Sequence, residues 1–136
     1  MQLLVNVDVD DLPRAVDFYC RAFDLRVGRR FGGDAVELLG GSSALYLLAK
    51  AAGTAPSPGS PQVRTYERHW TPVHLDFVVD DVDAAVERAC AAGARLEQSA
   101  RTAAWGKLAL MADPFGNGFC LVQFLGRGYD EIATPA

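Results

Sequence analysis

The sequence predicts an α+β protein built from two βαβββ modules, and three observations carry the prediction. Shifted by 70 residues, VDDLPRAVDFYC at 9–20 lands on VDDVDAAVERAC at 79–90 with six of twelve positions identical and no gap. Ahead of each VDD lies a stretch of period two: Leu3, Val5, Val7 and Val9 in the first copy, Val73, Leu75, Phe77 and Val79 in the second. Behind each lies an apolar stripe at helical spacing: Ala15, Val16, Tyr19 and Phe23, then Val82, Ala85, Val86 and Ala89.

The elements follow in order. Asp11 and Asp81 stand where a helix needs a side-chain acceptor for its first free N–H groups, and Asp83 adds negative charge to the first turn. Pro13 is tolerated because it falls in that same turn, where no helical hydrogen bond is lost. After the helices come the strand-like runs RVGRRF, AVELLG and ALYLLAK in the first half, and RLEQSA, KLALMAD and GFCLVQF in the second. Gly40 and Gly41, and the run DPFGNG at 113–118, supply the turns that join the last two runs of each half into hairpins. The first module is placed at residues 1–50 and the second at 71–125. Residues 51–70 form the linker and rim; AAGTAPSPGSPQ within them is too rich in Pro, Gly and Ser for regular structure. In the tail, residues 126–136, Tyr129 and Ile132 either dock on the body or fray with the chain end.

Composition narrows the function. With 136 residues, 50% of them hydrophobic and 22% charged, the chain has the balance of one globular domain, which excludes disordered and collagen-like classes. A net charge of -4 with no stripe of Lys and Arg argues against nucleic acid as a partner. No apolar run approaches the ~20 residues that cross a bilayer. MQLLVNVDVD is acidic where a signal peptide is basic, so the expected location is the cytoplasm, away from membranes. Cys20, Cys90 and Cys120 are too scattered for a disulfide framework or a paired zinc motif and read as reduced thiols, the first two as small buried hydrophobes inside helices.

Strand parity sets the candidate site. In VHLDFVVDD, His74 and Asp76 point away from the apolar side, as Leu4, Asn6 and Asp8 do on the first strand, and Tyr46 and Cys120 are expected to join them. His74 reads as a polar group facing a ligand or as a solvated histidine paired with Asp76; His69 reads as a loop residue. Cys120 beside an imidazole is a possible nucleophile, with a small filler side chain as the better-supported alternative. Asp8 and Asp76 are candidate general bases only if burial raises their pKa, and Glu37 faces either the site or solvent. Trp105, at the opening of a strand and just before a glycine, offers a flat stacking wall for a planar ligand, with packing at the core edge or in a dimer as the alternative. Tyr66 and Trp70 are candidate rim residues, and GRR at 28–30 reads as a solvated face or turn, with anion binding as an unsupported alternative.

The two modules, the FYCRAFDL ending on the first helix and the terminal DPFGNGFCLVQF hairpin together resemble the vicinal oxygen chelate superfamily, which includes glyoxalase I, the extradiol dioxygenases and the bleomycin resistance proteins. The resemblance covers nearly the whole chain and implies a curled, cup-shaped mixed sheet with helices outside, and a homodimer. It also implies four positions for ligands to a divalent metal, one at the first strand and one at the last strand of each module. Here those positions carry Leu4, Tyr46, His74 and Cys120. Leucine cannot ligate, tyrosine would have to lose a proton of pKa about 10, and a thiolate favours softer metals.

The expectation is therefore a protein that binds a small planar organic molecule in a cup, without metal or other cofactor, by sequestration. Its ligand-binding residues would be Asn6, Tyr46, His74, Asp76, Trp105 and Cys120. The alternative is a glyoxalase-like lyase or isomerase, or a dioxygenase, whose divalent metal is held by His74 with Glu37 or Asp76. Whether the chain is an enzyme stays open at this level, a metal-free one using His74 as acid or base included.

Overall fold

The structure is a computed structural model that describes residues 1–135. The chain divides into two units, Met1–Glu67 and Arg68–Ala136. The first carries β1 (Val5–Val9), α1 (Leu12–Phe23), β2 (Arg26–Phe31), β3 (Ala35–Leu39) and β4 (Leu45–Ala49). The second carries β5 (Leu75–Val78), α2 (Val82–Ala92), β6 (Arg95–Ala103), β7 (Gly106–Ala112), β8 (Gly118–Phe124) and a 3₁₀ turn, Gly128–Glu131. Each unit is one open, four-stranded mixed sheet, ordered β1-β4-β3-β2 and β5-β8-β7-β6. In both, the first strand pairs in parallel with the last and the remaining pairs are antiparallel. The α+β class and the two βαβββ modules are thus as the sequence predicts.

The helices begin where the acidic caps predict. Asp11 accepts from the Arg14 N–H at 3.1 Å, and Asp81 from those of Asp83 and Ala84 at 3.0 and 3.1 Å. Gln123 of β8 adds an acceptor for the Val82 N–H at 2.9 Å, so α2 is tied to its own sheet at the N-terminus. Both helices stop in the left-handed conformation, at Asp24 (φ 54°) and Gly93 (φ 119°).

One face of each sheet is covered by its helix. The core of the first unit joins Ala15, Phe18, Tyr19 and Ala22 of α1 to Val9, Val36, Leu38 and Leu47 of the sheet. That of the second joins Val82, Ala85 and Ala89 to Ala109, Met111, Phe119 and Leu121. The α1 stripe sits one step round from the predicted one: Phe18 is buried and Val16 only half so, because the bulkier ring takes the centre of the contact. Cys90 departs from expectation as well. It is exposed, since Ala89 beside it already takes the inward position, while Cys20 is half-buried.

Local hydrogen bonding shapes the connections. Buried Asp113 accepts from the N–H groups of Phe115 and Asn117 through Oδ1 and from the Asn117 amide through Oδ2, each at 2.8 Å, which closes the β7–β8 turn. The Pro- and Gly-rich stretch has no helix or strand, yet it is tied down: Gly53 and Thr54 exchange backbone bonds with Arg64, whose side chain reaches Asp8 at 2.6 Å. Arg68 and Trp70 fold onto the second unit, where both bind Glu97.

Candidate functional site

With a helix on one face, each sheet leaves the other open, and register decides which side chains line it. In the first unit Asn6 lies opposite Tyr46, and Tyr46 opposite Glu37, so three polar residues form a row across β1, β4 and β3. Arg29 of β2 extends the row. Its Nε donates to Glu37 at 3.0 and 3.1 Å and its Nη2 at 2.5 Å, while the Arg29 backbone N–H donates to the same carboxylate at 3.1 Å. Tyr46 completes the cluster: its hydroxyl donates to Glu37 at 2.8 Å and accepts from Arg29 at 3.2 Å. Gly28 makes room for it, because a Cβ there would stand 2.5 Å from Glu37 Oε1. Hydrogen bonds from Arg29 and then from Tyr46 hold the Glu37 carboxyl down at about 2, so it is a permanent anion and a poor base. The bond to Glu37, then desolvation and the Glu37 charge, raise the Tyr46 hydroxyl against the opposing pull of Arg29.

The equivalent row in the second unit is Asp76, Cys120 and Leu110, ending at Gln98. Only its first half is polar. His74 Nε2 lies 3.3 Å from Asp76 Oδ1, and donor atoms of His74, Asp76 and Cys120 fall within 4.8 Å of one another. Burial pushes the Cys120 thiol up to about 12, helped by the Asp76 charge and the bond the thiol donates to it. It is therefore a protonated thiol and not an activated nucleophile. Trp70 flanks His74 edge-on at 5.4 Å, donates its indole N–H to Glu97 at 3.1 Å, and lies over Gly118, where a Cβ would meet its ring.

The sequence candidates thus separate. Asn6, Tyr46 and Glu37 line the open face of the first unit; His74, Asp76 and Cys120 gather on that of the second. Trp105 sits in the turn before β7 and not in the strand, and its ring packs 5.1 Å from Tyr129 and 6.3 Å from Phe124, so Tyr129 of the tail lies against it while Tyr129 and Ile132 both stay exposed. Tyr66 donates its hydroxyl to the Lys50 carbonyl at 2.5 Å. His69 acts through its backbone, pairing with Gly116 and Gly118. Asp8 is engaged by Arg64.

Phe31 is the residue that sequence reasoning left out of the site, and Arg29 entered it only within GRR, as a solvated face or turn with anion binding an unsupported alternative. Their alternation in RVGRRF was the available signal, but a bulge between Val27 and Arg30 hides which face that alternation serves.

The residues the metal-binding members would use do not fit here. Leu4 has no donor, the Tyr46 hydroxyl is held between Glu37 and Arg29, and Cys120 is a buried, protonated thiol, which leaves His74 as the one ready donor of the four positions.

A glyoxalase-like domain family matches residues 4–122, nearly the whole of both modules. The chain belongs to this family, and through it to the vicinal oxygen chelate superfamily. An uncharacterised protein of Mycobacterium bovis is 32% identical over 118 residues, which span 85% of this chain and 78% of that protein. Among solved structures, a glyoxalase-related enzyme from Fulvimarina pelagi superposes with a TM-score of 0.69 at 19% identity, covering 90% of this chain and 87% of that one. A glyoxalase/bleomycin resistance protein/dioxygenase family enzyme from Burkholderia phytofirmans does so with a TM-score of 0.65 at 21% identity, covering 90% and 97%. At these identities the two structures share the fold with this chain. Among the described residues no helix is long and apolar enough to cross a membrane.

Proposed function

We propose that this protein binds a small planar organic molecule on an open sheet face without a metal, as a sequestering member of the glyoxalase and bleomycin resistance superfamily. One observation carries the reading: the polar row of the first unit is closed among its own residues. Glu37 is neutralised by Arg29 and held by Tyr46, so it offers neither a basic carboxylate nor a free metal ligand. A face of fixed charges, hydroxyl and aromatic side chains suits binding by stacking and hydrogen bonds, for which affinity alone suffices. His74 and Asp76 add a polar pair of the same kind. A homodimer in the cytoplasm is part of the proposal, and light scattering at twice the chain mass is its check.

A second reading has its own support. His74, Asp76 and Cys120 present one nitrogen, one oxygen and one sulfur donor close together, and binding of a borderline metal would displace the thiol proton. Elemental analysis of untagged protein purified without chelators decides between the two. The binding reading expects a substoichiometric metal content and saturable uptake of planar compounds in calorimetry. Near-stoichiometric metal that disappears in His74→Ala would overturn it.

A further inference from the structure

We propose that Arg29, flanked by Phe31 and Tyr46, is a subsite for the anionic oxygen group of a planar ligand, so that the molecule bound is an aromatic carboxylate or a related anion; this rests on the binding reading above.

The guanidinium is fixed before any ligand arrives. Glu37, 5% exposed, takes the Nε and Nη2 edge, and the Tyr46 hydroxyl takes a further Nη2 contact. Among the described residues Nη1 has no hydrogen-bond partner, and the Arg29 side chain is 68% exposed. Its two outward N–H groups are therefore free, and they are held in a plane that loses little entropy on binding. An exposed arginine is often no more than the counter-ion of the acid beneath it. Here, however, two aromatic rings stand beside it. The Arg29 Cζ lies 5.7 Å from the Phe31 ring, and the Phe31 and Tyr46 rings lie 6.2 Å apart at 41°.

Phe31 is 44% exposed and lies two residues on from Arg29 in the same strand, so its ring is open to a planar partner beside the guanidinium. A planar body laid on Phe31 would bring a carboxylate in its own plane to Nη1, which pairs charge with charge and ring with ring. Gly28 is part of the device, because the space it leaves lets Glu37 sit beneath the guanidinium. The second unit carries Leu110 and Gln98 at the positions equivalent to Glu37 and Arg29, and in its own arginine–carboxylate–aromatic cluster, Arg68 with Glu97 and Trp70, Nη1 already donates to the His69 carbonyl.

The test uses 2-naphthoate and its neutral isostere 2-naphthamide, titrated into the full chain by calorimetry and followed residue by residue by NMR. The naphthoate should bind at least about tenfold more tightly, the factor expected of a charge-assisted hydrogen bond. Its shifts should centre on the Arg29 Nε–H and Phe31. Phe31→Ala should weaken both compounds alike. Arg29→Gln combined with Glu37→Gln, which leaves no buried charge unpaired, should abolish the preference while a melting transition persists. Equal affinities, shifts centred on His74 and Cys120, or no naphthoate binding would each overturn the subsite. Equal affinities with firm binding would leave the binding reading standing, whereas stoichiometric metal would remove that reading whatever the naphthoate does.

Discussion

Alkylation of Cys120 offers a direct measure of the chemistry on the open face of the second unit. The thiol is 3% exposed, its pKa is pushed from the ordinary 9.0 to about 12, and iodoacetamide reacts with the thiolate alone. At pH 8 a thiol of pKa 9.0 is about one-tenth ionised and one of pKa 12 about one part in ten thousand, so ionisation alone slows the reaction about 10³-fold. Burial slows it further. Exposed Cys90 is the internal reference in the same digest, read by peptide mass spectrometry over time. Asp76→Asn removes the charge and weakens the bond that Cys120 donates to, leaving only the burial contribution. It should speed Cys120 labelling several-fold and leave Cys90 unchanged. Cys120 labelling within tenfold of Cys90 in the parent protein would refute the reasoning, and would revive both the nucleophile and the thiolate ligand set.

Three further outcomes follow from the packing and the charges. Phe18→Ala should cost about 3–5 kcal/mol in urea unfolding, because the ring is 1% exposed and two aromatic neighbours pack against its edge; a cost under 1 kcal/mol would mean that α1 closes over the hole. Asp113→Ala leaves two backbone N–H groups in the β7–β8 turn without their acceptor and should cost about 2–4 kcal/mol, with Asp113→Asn retaining part of the loss. The folded-state pKa of Glu37 is depressed, so its contribution is fully present above the ordinary carboxylate value of about 4.3 and is lost as pH falls towards 2. Glu37→Gln should therefore flatten the fall of stability over that acid window, and an unchanged slope would show that the Arg29 contact does not set the pKa.

Much of the fold was legible because its determinants are local. The Asp11 and Asp81 caps act within three residues, and DPFGNG closes its own turn through Asp113. Period two likewise assigns Asn6, His74 and Asp76 to the open faces without any knowledge of what they oppose. The site was only half legible. Parity puts Tyr46 and Cys120 on the right face, but their chemistry depends on neighbours: Tyr46 meets Arg29 across 17 positions of sequence, and Cys120 is raised by Asp76 from another strand.

The sequence by itself determined two βαβββ modules, their helix starts and which face the polar residues of the first and last strand of each module serve, since hydrophobic period and capping operate over one turn or one strand. Register, burial and the choice of partner were decided only by the tertiary structure. The bulge in β2 carries Arg29 and Phe31 to the side of Glu37, Cys90 turns outward beside Ala89, and Trp105 meets Tyr129 instead of standing free. Such outcomes depend on strand pairings between distant segments, where a one-residue slip exchanges the two faces, and no window of neighbouring residues contains that information.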